Sequence, residues 1–188
     1  MADSRGGLQA PVNIPPGLGV GIIANGKLVR AGRGLHPEAG HMIIDYNDES
    51  AVCGCGNLGC AEALLSGNGF GRRISARLGN SKLSSREIAE LARDGHAGAL
   101  EAFEEYSHLM AAALHNYVTM FAPEIVVFTG SFAAASDLFI ARTKVHLEKY
   151  LERKRTGIDL FPKLTVSKLD NRAGLIGGAW VALHPARS

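Results

Sequence analysis

The chain has 188 residues, 46% of them hydrophobic and 20% charged, and its formal net charge is +2 at pH 7. This composition indicates one globular unit with a substantial core. The cations are scattered except in residues 149–155, which we interpret as the solvated C-terminus of a helix, so no nucleic-acid partner is expected. No signal sequence and no run of about 18 apolar residues is present, so no membrane partner is expected and the expected location is cytoplasmic.

The first 16 residues are rich in glycine and proline, and they are predicted to form a flexible tail or linker before an ordered domain over 17–188. That domain opens with a predicted β-hairpin, in which Asn25-Gly26 forms a type I′ turn between two strands. Glycines in its first strand would let a phosphate or another backbone approach closely, and they are Gly17, Gly19 and Gly21.

All three cysteines of the chain lie within eight residues, and a histidine precedes the first of them by twelve, which gives the set His41, Cys53, Cys55 and Cys60. Three thiolates and one imidazole form a complete tetrahedral set for Zn²⁺ with no position left for a catalytic water, so the predicted site is structural. Glycines at 54, 56 and 59 would supply backbone conformations with positive φ. The alternatives are three free thiols, or one disulfide with an odd cysteine.

Two carboxylates flank this cluster, Glu38 three residues before His41 and Glu62 two residues after Cys60. If a metal ion fixes the ligands, it also fixes these side chains, and preorganised carboxylates can hold the hydroxyl groups of a sugar. The alternative is that each glutamate is a solvated surface residue or a charge at a helix N-terminus.

The remaining elements follow from hydrophobic periodicity and from capping signals. A buried strand followed by Gly130 and a helix is predicted to present backbone amides to a ligand. The predicted elements are a short strand 41–44, a helix beginning at Glu62, a capped helix 84–93, a long helix 97–121, a strand 124–129, a helix 136–151, a strand 163–168 and a closely packed last helix 173–183.

The motifs Glu38-Ala-Gly-His41 and Cys53-Gly-Cys55-Gly-x-x-Gly-Cys60-x-Glu62 resemble the signature of ROK proteins (repressor, open reading frame, kinase). The resemblance implies an α/β fold, the C-terminal lobe of the actin-like ATPase (ribonuclease-H-like) fold with an inserted zinc-binding loop. It also implies that the histidine and the cysteines bind structural Zn²⁺, and that Glu38, His41 and Glu62 hold a hexose or N-acetylhexosamine. A homodimer is expected as well.

The nucleotide motifs depart from the family pattern. Pro15-Pro16 replace phosphate-binding residues just before Gly17, Gly19 and Gly21, which removes two backbone donors and a hydroxyl. Thr129-Gly130-Ser131 has one glycine where the family has three to accept adenosine. Binding of ATP with Mg²⁺ is therefore predicted to be possible but weakened.

The Asp-x-Gly-x-Thr phosphate motif of the family is taken to be absent, and so is the Asn-Asp pair whose aspartate is the base of the family, so no residue is assigned as catalytic. Asp45, Asp137 and Asp170 are the substitute bases considered, and we interpret them as strand-end, cap or loop residues.

Two hypotheses follow. The first is the lobe of an ATP-dependent hexose or amino-sugar kinase, from a truncated or split enzyme with a separate N-terminal lobe, and with little activity alone. The second is a non-catalytic, zinc-stabilised sugar-binding or oligomerisation module related to ROK regulators. The choice of sugar is not predicted, because it depends on loops of both lobes.

Overall fold

A mixed β-sheet is the framework of the protein in this computed structural model, which describes residues 9–13, 17–33, 36–80, 82–152, 157–169 and 172–183. The strands of the described residues are β1 (Gln9–Asn13), β2 (Gly19–Val20), β3 (Ile23–Ala24), β4 (Lys27–Leu28), β5 (Ile125–Thr129) and β6 (Lys163–Val166). Their order is β4-β3-β1-β5-β6, and β2 also pairs with β1. The three strands β1, β5 and β6 run parallel, whereas β2 and β3 are antiparallel to β1.

The helices lie mostly between β4 and β6 in the chain. They are α1 (Ala61–Leu65), α2 (Gly67–Arg77), α3 (Ser85–Arg93), α4 (Ala97–Phe121), α5 (Ser136–Glu152) and α6 (Ala173–Leu183), and short 3₁₀ helices cover Ala39–His41 and Ser131–Ala135. None of the helices in the described residues is both long enough and apolar enough to cross a membrane. Strands alternating with helices give the α/β class that the sequence predicts.

The predicted tail over residues 1–16 is wrong for Gln9–Asn13, which form the strand β1. This strand pairs in parallel with β5 along its whole length, from Gln9 opposite Ile125 to Asn13 opposite Thr129. Its neighbours on both sides stabilise it through ladder hydrogen bonds, so tertiary context overrides the weak local pattern. The rest of the predicted tail, residues 1–8 and 14–16, lies outside the described residues.

The predicted hairpin turn is confirmed. Asn25 and Gly26 have φ values of 51° and 72°, both positive as a type I′ turn requires, and they join β3 to β4. The strand predicted before the turn is divided in two, because β2 and β3 pair with different parts of β1.

The core lies around α4, which spans the predicted residues. Five aromatic rings have neighbouring centroids 5.0–6.3 Å apart and belong to Phe70, Phe103, Tyr106, Phe132 and Phe139. Burying each such ring stabilises the fold by roughly 1.5–3 kcal/mol. The Tyr117 hydroxyl, also on α4, donates to the Ala39 carbonyl at 3.0 Å. The core thus anchors the short helix that ends at His41.

The last helix, α6, corrects another prediction. The sequence predicts close packing, but none of its residues is buried, and Leu175 and Leu183 are each 77% exposed. A Cβ atom added at Gly174, Gly177 or Gly178 would meet no atom within 4 Å. An apolar helix therefore projects from the described part of the chain.

The predicted strand 41–44 is also wrong, since Ile43 forms only an isolated bridge with Cys60.

Candidate metal centre

The cysteine loop runs from the 3₁₀ helix Ala39–His41 to α1, and two isolated bridges fold it back on itself. Gly59 is at its tightest point, with a φ of 68°, and a Cβ atom there would lie 1.7 Å from the Asp45 carbonyl oxygen. Only glycine fits this position. Gly56 also has a positive φ, as predicted, but Gly54 does not, so that part of the prediction is wrong.

The loop brings the four predicted ligands together. One ligand atom from each of His41, Cys53, Cys55 and Cys60 lies within 4.8 Å of all the others. The Cys55 and Cys60 sulfur atoms are 3.6 Å apart, and the Cys53 sulfur is 3.5 Å from Nδ1 of His41. A tetrahedral Zn²⁺ site with bonds of about 2.3 Å to sulfur has edges of about 3.8 Å. The residues present therefore fit such an ion.

Protonation of the thiols depends on their surroundings. Burial raises the pKa of Cys60 to about 12 and also raises the pKa of Cys53. The backbone N–H of Asn57, by contrast, donates to Cys55 and lowers the pKa of this exposed thiol to about 7. A metal ion that binds thiolates must displace the protons of the buried thiols, so its affinity should rise with pH.

An arginine pair on α2 holds the outer side of the loop. The Arg73 side chain is only 9% exposed, and its Nη2 atom lies 2.6 Å from Oδ2 of Asp48 and 3.0 Å from Oε1 of Glu105. Arg72 donates from Nη2 to the Val52 carbonyl at 2.8 Å. The loop is thus tied to α2 and α4 without the metal ligands.

Replacing this buried arginine should loosen the loop and destabilise the fold. We expect Arg73→Ala to cost roughly 2–3 kcal/mol, less than a fully buried pair, because both carboxylates keep some solvent contact. Urea unfolding measures the change. Arg86→Ala is the control, since Arg86 is 88% exposed and its ion pair is with Glu90, one turn away on the same helix. An equal loss of stability in both variants would contradict the prediction.

The flanking glutamates both contact the ligand set. His41 Nε2 lies 3.6 Å from Glu38 Oε2, and Glu62 Oε1 lies 3.7 Å from the Cys53 sulfur. Nδ1 of the imidazole therefore faces the thiols while Nε2 faces Glu38. His36, a loop histidine whose side chain is 67% exposed, also contacts this carboxylate, with its Nε2 3.1 Å from Glu38 Oε1.

Two of the predicted nucleotide residues, Gly19 and Gly130, lie at one end of the sheet. Asn13, the last residue of β1, pairs with Gly19 on one side and with Thr129 on the other. Gly130 follows with a φ of 89°, and beside it is a cavity of about 240 Å³ lined by Thr129, Gly130, Ser131, Ala133, Ala134, Val166 and Ser167. Open α/β sheets bind ligands at this carboxyl end of parallel strands. Pro15 and Pro16 lie outside the described residues.

The substitute bases are engaged elsewhere. Asp137 forms two hydrogen bonds with Arg93, at 2.9 and 2.7 Å, and this guanidinium holds the Asp137 pKa below its usual value. Asp45 accepts a hydrogen bond from the Asn47 backbone, as a loop residue does. Asp170 lies outside the described residues.

The chain does contain an Asn-Asp pair, Asn47-Asp48, within the cysteine loop, so the absence of this pair expected in the sequence analysis is wrong. Burial favours a higher pKa for Asp48, but the Ser50 hydroxyl and the Arg73 guanidinium outweigh it and hold the pKa below its usual value. With both partners in place, Asp48 anchors the loop and is a poor proton acceptor.

Comparisons with known proteins show which family and which fold the chain resembles. The sequence model of the ROK family matches residues 10–184. The chain is 30% identical to an N-acetyl-D-glucosamine kinase of Haemophilus influenzae, over 87% of this chain and 55% of that protein. It is 33% identical to the xylose repressor of Bacillus subtilis, over 69% of this chain and 33% of that protein.

Among solved structures, the ROK hexokinase of Thermus thermophilus superposes with a TM-score of 0.80 at 25% identity, covering 95% of this chain and 60% of that one. The chain thus spans little more than half the length of these kinases.

Proposed function

The chain belongs to the ROK family, and from that premise we propose that it is the zinc- and sugar-binding lobe of a ROK sugar kinase. Completed by a second lobe, it would phosphorylate a hexose or N-acetylhexosamine with ATP. The observation behind this proposal is the run of contacts from Glu38 through His41 and Cys53 to Glu62. It supports one site in which metal ligands and sugar carboxylates are held together.

Each residue then has a defined task. The thiolates of Cys53, Cys55 and Cys60 and Nδ1 of His41 would hold Zn²⁺, which fixes the loop when bound. Ligation at Nδ1 leaves Nε2 as a hydrogen-bond donor, toward Glu38 or a sugar hydroxyl. The two carboxylates accept hydrogen bonds from hydroxyls, each contributing roughly 1.5–3 kcal/mol.

The nucleotide would bind at the end of the sheet where Gly19 and Gly130 lie on the two sides of β1. Backbone amides near Gly17, Gly19, Gly21 and Gly130 are the groups available for the phosphates of ATP with Mg²⁺. Phosphoryl transfer also needs a base to deprotonate the sugar hydroxyl. Since Asp45, Asp48 and Asp137 are engaged elsewhere, we propose that the base comes from a second lobe.

The exposed helix α6 supports a second lobe. Its apolar residues Leu175 and Leu183 are not covered by the described part of the chain, while the kinase relatives have further sequence that the chain does not span. Covering α6 would bury apolar surface and stabilise the assembly. The homodimer and the cytoplasmic location stay predictions.

A second candidate function is that of a sugar-sensing module without catalysis. The observation that favours it is the identity of 33% to a xylose repressor, although only 33% of that repressor is covered. Both candidates place the sugar at Glu38, His41 and Glu62. They differ in whether ATP and a second lobe add phosphorylation.

Calorimetric titration of the zinc-loaded protein with glucose, N-acetylglucosamine and xylose tests the sugar site. We expect millimolar binding of at least one of these sugars, because only part of the cleft is present, and a loss of about tenfold or more in Glu38→Gln and Glu62→Gln. Glu101→Gln, an exposed site on α4, is the charge-matched control. Equal affinity in all four proteins would exclude this sugar site.

A further inference from the structure

The backbone of Leu18 lies between the two motifs of the proposed sugar site, one containing Gly40 and the other containing Glu62. Its N–H donates to Oε2 of Glu62 at 3.1 Å. On the other side, a Cβ atom added to Gly40, within the Glu-Ala-Gly-His motif, would lie 1.9 Å from the Leu18 carbonyl oxygen. One peptide segment of the glycine hairpin therefore touches both sugar motifs.

Two glycines make this contact possible by their size. A Cβ atom on Gly17 would lie 2.7 Å from Oε2 of Glu62, and one on Gly40 would overlap the Leu18 carbonyl. Neither residue has a positive φ, so conformational freedom does not explain the choice of glycine. The two positions are glycine because a side chain there would occupy the space taken by the Leu18 peptide and by the Glu62 carboxylate.

The orientation of Glu62 is unusual for its place in the chain. Glu62 is in the first turn of α1, where a carboxylate ordinarily interacts with the free N–H groups of its own helix. Instead it reaches a backbone donor 44 residues away, while its other oxygen faces Cys53. The Leu18 N–H therefore selects the direction of this carboxylate.

We propose that the Leu18 peptide is the positioning group of the sugar carboxylate Glu62, and that Gly17 and Gly40 are glycines because the contact needs their space. This inference rests on the proposed sugar site. It has a consequence for the whole lobe, because Leu18 is next to Gly19, which pairs with β1 at the end of the sheet assigned to the nucleotide. The proposed sugar site and the end of the sheet assigned to the nucleotide therefore share this one segment of the hairpin.

The decisive variant is Gly17→Ala. Its methyl group would meet only the end of a flexible side chain, so the fold should survive while the Glu62 carboxylate is pushed from the Leu18 N–H. Gly40→Ala would meet backbone and is more disruptive. Gly32→Ala is the control, since a Cβ there meets no atom within 4 Å and its φ is not positive.

Sugar affinity and the Leu18 amide resonance are both measured on zinc-loaded, ¹⁵N-labelled protein, with the sugar that the wild-type chain binds best. Gly17→Ala should lose about tenfold in affinity, the effect of one charge-assisted hydrogen bond, with melting temperature and zinc content unchanged. The Leu18 amide proton should move upfield in Gly17→Ala and in Glu62→Gln, because both changes weaken its hydrogen bond to the carboxylate. The shift in Glu62→Gln is the decisive one, because the residue before Leu18 is unchanged there. Gly32→Ala should match wild type in every respect.

Two results would overturn the inference, and they are distinguishable. If the wild-type chain binds hexose and Gly17→Ala binds it equally well, with an unmoved Leu18 amide, the positioning role is wrong and the sugar site stands. If the zinc-loaded wild-type chain binds none of the sugars, the proposed function fails and this inference fails with it.

Discussion

Removing the proposed Zn²⁺ ion from His41, Cys53, Cys55 and Cys60 should lower the melting temperature sharply. A structural Zn²⁺ ion can contribute on the order of 10 kcal/mol of apparent folding free energy, which is comparable to the whole stability of a domain. Chelation should therefore unfold the loop and, with it, the contact between α1 and the core. Elemental analysis together with thermal unfolding, before and after chelation, measures the effect.

Cys55→Ala separates metal binding from packing. This side chain is exposed, so its truncation alone removes little buried surface, and a large fall in melting temperature would report the lost ligand. Gly54→Ala is the matched control in the same loop, because a Cβ there meets no atom within 4 Å. Far less than one zinc per chain, with a melt that neither chelation nor Cys55→Ala changes, would disprove the metal site.

The second prediction with a large effect is that the chain alone has very little kinase activity. The chain alone should phosphorylate sugars at least about a hundredfold more slowly than a typical enzyme, whose turnover is on the order of 10 per second, because loss of a general base costs about 10²–10⁴-fold. The weakened phosphate and adenosine motifs add to this loss. A coupled assay with ATP and with glucose, fructose, mannose, N-acetylmannosamine and N-acetylglucosamine measures it.

An active chain would be recognised by its dependence on one aspartate. Turnover of about one per second, abolished by Asp45→Asn, Asp48→Asn or Asp137→Asn, would show that the lobe has its own base. Loss of activity in Asp48→Asn would need a stability control, since Asp48 also anchors the cysteine loop through Arg73. Asp137→Asn needs the same control, because it would remove the ion pair with Arg93.

What the sequence reveals about the site depends on how local the signal is. The four ligands lie within 20 residues, and a tetrahedral ion demands few residue types, so the cluster is visible from spacing alone. The Asn25-Gly26 turn is similarly local. The hydrogen bond from the Leu18 N–H to Glu62 joins segments that are 44 residues apart. Because its donor is a backbone atom, no pattern of side chains in the sequence predicts it.

The errors in the fold have the same origin. Gln9–Asn13 contain a proline and follow glycines, so their local pattern predicts a loop, and only pairing with β5 makes them a strand. For α6 the composition correctly predicts an apolar helix. Hydrophobicity indicates that such a helix should be buried, but it does not indicate which part of the protein, or which partner, covers it. Packing of α6 against this lobe was the wrong inference.

A sugar titration followed by ¹⁵N NMR on the zinc-loaded chain tests the central claim most directly, that a metal-ordered loop forms a sugar site. With glucose or N-acetylglucosamine raised to high millimolar concentration, the shifts should concentrate in residues 36–66 and at the Leu18 amide. The absence of shifts in these residues, with one zinc bound per chain, would contradict the account.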